Sequence, residues 1–217
     1  VTIRQELPYG VTLALTVVAA GFLVRIFIIF HDTTHGSFFA SPRANRILGY
    51  ITGILTLTPY EEWRKSHTKH HGTAGDLDRR GSGDVWTMTV DEYKATPWWR
   101  KTAYRLFRHP LVMFGLGPIF VFILSQRFTP KGAGKDARIS TIITNLAILL
   151  IVVVAAATIG LRTYLLIQLP VTIMAGAAGI WLFYVQHQFE GVYWARHDAW
   201  DPIQAALAGS SYYRLPK

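Results

Sequence analysis

The sequence predicts an all-α fold: an integral membrane helical bundle with a transmembrane hairpin and a cytoplasmic helical cap that bears clustered histidines. Three observations carry this. Of 217 residues, 51% are hydrophobic and only 16% charged, with a mean hydropathy of +0.25. Three stretches with at most one charge reach the ~20 residues that a helix needs to cross ~30 Å of hydrocarbon. Five histidines fall in two tight groups, His31-Asp32-Thr33-Thr34-His35 and His67-Thr68-Lys69-His70-His71.

The elements follow in order. The first span runs from Tyr9 to Phe30 with one charge, Arg25, which must snorkel, pair or face the bundle interior. It ends directly at His31, at the membrane–water boundary. A second apolar run, Ile47 to Thr58, lies between Pro42 and Pro59 and is too short to cross. It predicts a re-entrant or interfacial helix. From Glu61 to Arg108 the chain is polar, with ten Lys and Arg, and its Gly72, Gly75, Gly81 and Gly83 mark irregular structure. Basic loops face the cytoplasm, and Trp98 and Trp99 suit a membrane interface.

Leu111 to Leu124 is apolar but short and contains Gly115, Gly117 and Pro118; a basic loop, Arg127 to Arg138, follows. Ile139–Gly160 and Thr163–Val185 then form a hairpin turning at Leu161-Arg162, with Ala175 and Gly179 allowing close packing and Pro170 placed to kink the second arm. The hairpin crosses twice, so Arg138 and His187 fall on one side. For His187 to meet the other histidines, Leu111 to Leu124 must dip in without crossing. One domain over 1–217 is expected, and a chain that opens at Val1 without Met and closes at Lys217 is expected to be truncated at both ends.

Composition excludes several functions. There is no cysteine, hence no disulfide, thiolate site or iron–sulfur cluster. The net charge of +9 does not indicate nucleic acid, because the cations lie in loops between apolar spans.

Histidine is the commonest metal ligand, since neutral imidazole offers a lone pair near physiological pH. Residues i and i+4 project about 40° apart on one helix face, so His31 pairs with His35 and His67 with His71, with His70 alongside. His187, just past the last span, shares their side. Asp32 is placed to fix an imidazole tautomer from outside the ligand shell. His109 reads as interfacial and His197 as solvated. Six imidazoles exceed one zinc site and point to two metals. Imidazole suits zinc, copper, iron and nickel. Clustering at span ends, rather than along a path through them, argues against a metal transporter.

These residues resemble the membrane fatty acid desaturase family, especially the bacterial acyl-lipid Δ12 (omega-6) type. The resemblance is carried by His31-Asp32-Thr33-Thr34-His35-Gly36-Ser37 and Trp63-Arg64-Lys65-Ser66-His67-Thr68-Lys69-His70-His71. Weaker matches are Gly75-Asp76-Leu77-Asp78-Arg79-Arg80-Gly81, Gly83-Asp84-Val85-Trp86 and Gln186-His187-Gln188-Phe189-Glu190. It implies a non-haem di-iron centre held by His31, His35, His67, His70 and His71, with His187 as a further ligand, and O2-dependent desaturation of a lipid acyl chain. It also implies an electron donor, a ferredoxin or cytochrome b5-like protein, which the basic surface from Arg64 to Arg108 could dock, and a bacterial inner membrane location with the metal site on the cytoplasmic side. Trp63, Trp86 and Phe183-Tyr184 are candidates for lining an acyl tunnel. The family has a further helix before the first box and a third His-x-x-His-His box downstream of a segment like Gly209-Ser210-Ser211-Tyr212-Tyr213; this sequence carries neither. A hydroxylase of an alkane, sterol or carotenoid shares the boxes and is the alternative, as is a catalytically incomplete fragment.

Overall fold

A computed structural model describes residues 8–81 and 83–212; Tyr213 and both chain ends lie outside the described residues. Helix α1 (Tyr9–Thr34) runs one turn further than the apolar stretch and carries His31 inside it. The Thr33 and Thr34 hydroxyls donate to the carbonyls of Phe30 and His31 at 2.6 Å, so the polar last turn stays helical. Arg25 is exposed on α1 and forms no ion pair among the described residues, which leaves snorkelling as its route to water.

Helix α2 (Pro42–Leu55) begins five residues before the apolar run, because Ser41 caps it and Pro42 occupies its first turn, where a missing N–H costs nothing. Helix α3 (Tyr60–His71) has Glu61 and Glu62 in its first turn and Lys69, His70 and His71 in its last, in accord with the helix dipole. Two short helices follow, α4 (Val90–Ala95), closed by a capping box of Thr89 and Glu92, and α5 (Trp98–Phe107).

Helices α6 (Lys135–Thr158) and α7 (Leu161–His187) form the hairpin. Its turn is Ile159-Gly160, not Leu161-Arg162, because Gly160 adopts φ +87°, which glycine alone takes without strain. α7 continues through Pro170. Close packing falls at Gly176 rather than Gly179: a Cβ on Gly176 would lie 2.8 Å from Pro118, whereas one on Gly179 meets nothing within 4 Å.

The Tyr9 hydroxyl donates to the Leu166 carbonyl at 2.8 Å, so α1 and α7 start together and run parallel to the histidine end. α6 runs the other way, its Ser140 hydroxyl accepting from the Glu61 N–H at 3.1 Å. Its buried stripe is Ala137, Ser140, Thr141 and Thr144, small and hydroxylated side chains of the kind that let spans approach closely.

Between these helices, Leu111–Leu116 and Ile119–Leu124 wind as wide π turns, bent by 58° from α5. Before them, Arg108 donates to the Tyr184 hydroxyl and Gln188 Oε1, each at 3.0 Å, at the rim end of α7. Pro118 and Phe122 reach Gly176, eight residues deeper, and Arg127 then bonds the Leu57 carbonyl and Asn145. Eight residues of helix span roughly 12 Å, well short of ~30 Å. The segment's contacts with α7 thus lie in the half of that helix nearest the histidines.

α1, α6 and α7 are each long and apolar enough to cross a membrane, and large apolar side chains such as Phe22, Leu149 and Leu150 point outward from them. The chain is a helical membrane protein. The cap has one isolated parallel bridge, Asp76 with Ala195, and no strand among the described residues.

Candidate metal centre

The last turn of α1, the last two turns of α3 and the end of α7 meet at one rim. One ring nitrogen from each of His31, His35, His67 and His71 lies within 4.8 Å of the others. Their Nε2 atoms form a chain: His31 to His35 at 3.2 Å, His35 to His67 at 3.1 Å, and His67 to His71 at 3.1 Å. His70 turns away from this group and meets His187, Nε2 to Nε2, at 3.3 Å. Helix geometry explains the division: His67 and His71 are about 40° apart around α3, whereas His70 is about 60° to the other side of His67. All six predicted histidines therefore come together, as four plus two.

Hydrogen bonds fix which nitrogens are free. His187 Nδ1 donates to the Gly209 carbonyl at 2.9 Å, since a carbonyl can only accept. Asp32 Oδ1 lies 3.0 Å from His31 Nδ1, the position expected for it. Asp84 Oδ1 lies 2.8 Å from His70 Nδ1, obliquely rather than in line. The Gly209 carbonyl and Asp32 hold the proton on Nδ1 of His187 and His31 and leave their Nε2 lone pairs facing inward, and the nearby Asp84 charge favours the same tautomer in His70. His70 and His187 then aim lone pairs at each other, an arrangement that a cation relieves. Two nitrogens ~2.1 Å from one tetrahedral metal stand about 3.4 Å apart, so the observed separation fits a shared ion. With no thiolate in the chain, the donor set is imidazole throughout and suits a borderline metal such as iron or zinc.

Burial holds His67 down to about 2, and the neighbouring His71, His31 and His35 push the same way. Burial and the adjacent His35 and His70 take His71 to about 4, and His35 is lowered by burial and His31. His35, His67 and His71 are thus neutral and ligand-ready at physiological pH. The ordinary value of 6.5 describes the unfolded chain, which takes up protons below it that the folded cluster refuses. Stability of the metal-free protein should be level above about pH 7 and fall steadily from 6.5 towards 4, where His71 begins to titrate. Melting temperatures of chelator-treated protein between pH 8 and 5 check this; no decline below 6.5 would contradict it.

An apolar shell backs the imidazoles. Trp63 stacks on His67 with ring centres 4.2 Å apart, and Phe183 packs on His70 and His187 at 5.2 and 5.3 Å. Trp86 packs instead on Tyr104 and Phe107, and Tyr184 on Phe114, further from the cluster. His109 is exposed, as an interfacial residue should be. His197 is not simply solvated: it is half exposed, but its Nδ1 lies 2.8 Å from Oδ2 of the fully buried Asp76, and its Nε2 accepts from Arg79. Sequence reasoning missed Asp84, the Gly209 carbonyl and the Asp76–His197 pair. The acidic residues sat in recognised segments without a role, and a carbonyl leaves no signal in a sequence.

The profile described as "Fatty acid desaturase" matches residues 7–215. The chain is 52% identical over 212 residues to a fatty acid desaturase of Bacillus subtilis, covering 98% of this chain and 60% of that protein. It is 29% identical over 196 residues to a probable fatty acid desaturase of Sorghum bicolor, covering 83% and 48%. Over 98 residues it is 32% identical to a Synechocystis protein named sn-1 acyl-lipid omega-3 desaturase (ferredoxin), covering 45% and 25%. The chain thus spans at most about three fifths of the length of these relatives. A match along almost the whole chain, on top of a rim of six converging imidazoles, means that the chain belongs to the fatty acid desaturase family.

Proposed function

We propose that the whole protein is an O2-dependent fatty acyl desaturase that places a double bond in a lipid acyl chain, with a di-iron centre held by His31, His35, His67, His70, His71 and His187. The observation that carries this is the division of the imidazoles into two adjacent groups, four at one point and two at the next. Such an arrangement serves a pair of metals rather than one.

When bound, the irons supply the oxidant for an unactivated methylene pair, which side chains alone do not. The net change is –CH2–CH2– plus O2, two electrons and two protons to –CH=CH– plus two waters. The protein's own groups orient and insulate. Asp32, Asp84 and the Gly209 carbonyl hold the inward Nε2 lone pairs of His31, His70 and His187. Trp63 covers His67, and Phe183 covers His70 and His187. The apolar dip and the hairpin provide walls along which an acyl chain can be held in one register. The electrons come from a separate donor, in keeping with the ferredoxin in the Synechocystis relative's name. Ligands that complete the second position come from a further His-x-x-His-His in the rest of the protein, and the rim faces the cytoplasm of a bacterial inner membrane, where the basic loops lie.

Fatty-acid profiling of a host expressing the full-length protein tests the reading. A new unsaturated species is expected, with Δ12 the position to examine first. An alcohol in place of an olefin would assign hydroxylase chemistry, and a full-length sequence without a third histidine box would overturn the di-iron reading.

A further inference from the structure

The His67–His71 face of α3 is taken up by the imidazole cluster; its opposite face is not. Lys65 and Lys69 each lie two residues from His67, hence about 160° around the helix from it. With Arg64 and Thr68 they line a groove of about 540 Å³ against the start of α6, whose far wall is Gly134, Lys135, Asp136 and Ala137.

The charge of this groove is unbalanced in one direction. Glu61, at its base, is buried and already neutralised by Arg46 at 2.8 Å and Arg64 at 3.0 Å. Lys65, Lys69 and Lys135 are exposed and form no ion pair among the described residues, leaving Asp136 as the one unpaired carboxylate against three free ammonium groups. The groove is also close to the cluster: α3 alone, about 10 Å thick with its side chains, stands between them, and Lys69 is bonded directly to His70.

The other broad groove, beside α4 and α5, is a poorer anionic dock. There Arg80 is already paired with Glu92 at 2.6 Å, and the lining includes Val85, Trp86, Met88 and Pro97.

We infer that the outer face of α3, with the start of α6, is where an acidic one-electron donor protein docks, its carboxylates on Lys65, Lys69 and Lys135, so that electrons pass across α3 to the imidazole cluster. This rests on the desaturase reading and adds to it the surface through which the reductant acts. Free cations around a route to the centre steer and orient an acidic partner more than they add raw affinity.

The test uses the full-length iron-loaded protein in lipid nanodiscs, with a reduced plant-type [2Fe–2S] ferredoxin as donor and, separately, dithionite with a viologen mediator. The doubly substituted Lys65→Glu/Lys69→Glu protein should show a KM for ferredoxin raised roughly tenfold or more, with iron content and mediator-driven turnover unchanged. The milder Lys65→Gln/Lys69→Gln protein should shift KM in the same direction by less, and keeps the test valid if the charge reversal disturbs folding. Arg100→Glu, in the other groove, should leave KM unchanged. An unaltered ferredoxin KM in both lysine variants, or a rise with Arg100→Glu alone, overturns the docking site. So does loss of binding to anionic vesicles with ferredoxin KM unaltered, which would assign the lysines to the lipid surface. Absence of olefin with either reductant in the unsubstituted protein would instead defeat the desaturase reading, so the two failures are distinguishable.

Discussion

A His67→Ala protein is expected to make no desaturated product and to retain about half of its metal. His67 is the central link of the four-imidazole group, in contact with both His35 and His71 at 3.1 Å. Its loss leaves three donors with a gap at the centre, and removes the ring on which Trp63 stacks. The His70–His187 pair, about 60° around α3 from His67, keeps its geometry. Metal analysis of the full-length protein should therefore fall from two ions per chain towards one, while His70→Ala should reach a similar stoichiometry by emptying the other position. His109→Ala, at an exposed histidine outside both groups, should change neither metal content nor product. Full occupancy in the His67→Ala protein would remove the assignment of the first position.

Asp76→Ala is expected to have the largest effect on stability of any change outside the cluster. The Asp76 carboxylate is fully buried. It accepts from His197 Nδ1 at 2.8 Å and from the Asp78 N–H at 3.0 Å, with Arg79 at 3.7 Å. Beside it the backbone pairs Leu77 with Ala195, joining the segment after the second histidine box to the segment after α7. Breaking a buried pair costs about 3–5 kcal/mol, and the low end applies because His197 is half exposed. At about 3 kcal/mol, a chain of this size should melt roughly 6–12 °C lower. His197→Ala should act in the same direction. A melting temperature unchanged in both proteins would show that the cap is held elsewhere.

How much of this was legible follows from where the information lies. The three spans were readable because length and lack of charge are local properties, and the histidine boxes because i,i+4 spacing converts directly into a shared face. Helix ends were less so: α1 continued into polar residues because two threonines bond back to it, and the hairpin turned at Gly160 because of a backbone angle. The gathering of His187 with His70, 117 positions earlier, could be inferred only by counting crossings. Asp84 reaches His70 after a left-handed turn at Gly83, and Asp76 finds His197 across 121 positions. Neither contact has a periodicity to announce it, and the Gly209 carbonyl belongs to a backbone atom that every residue has.

One short helix carries donors for both proposed ion positions. Their separation is therefore gauged by a rigid rod rather than by a pliant loop: three steps along α3, roughly 4.5 Å of rise, divide His67 from His70. Inserting a single alanine between them would swing one donor about 100° out of phase while leaving every histidine in the sequence. Coordination here depends on register as much as on residue identity.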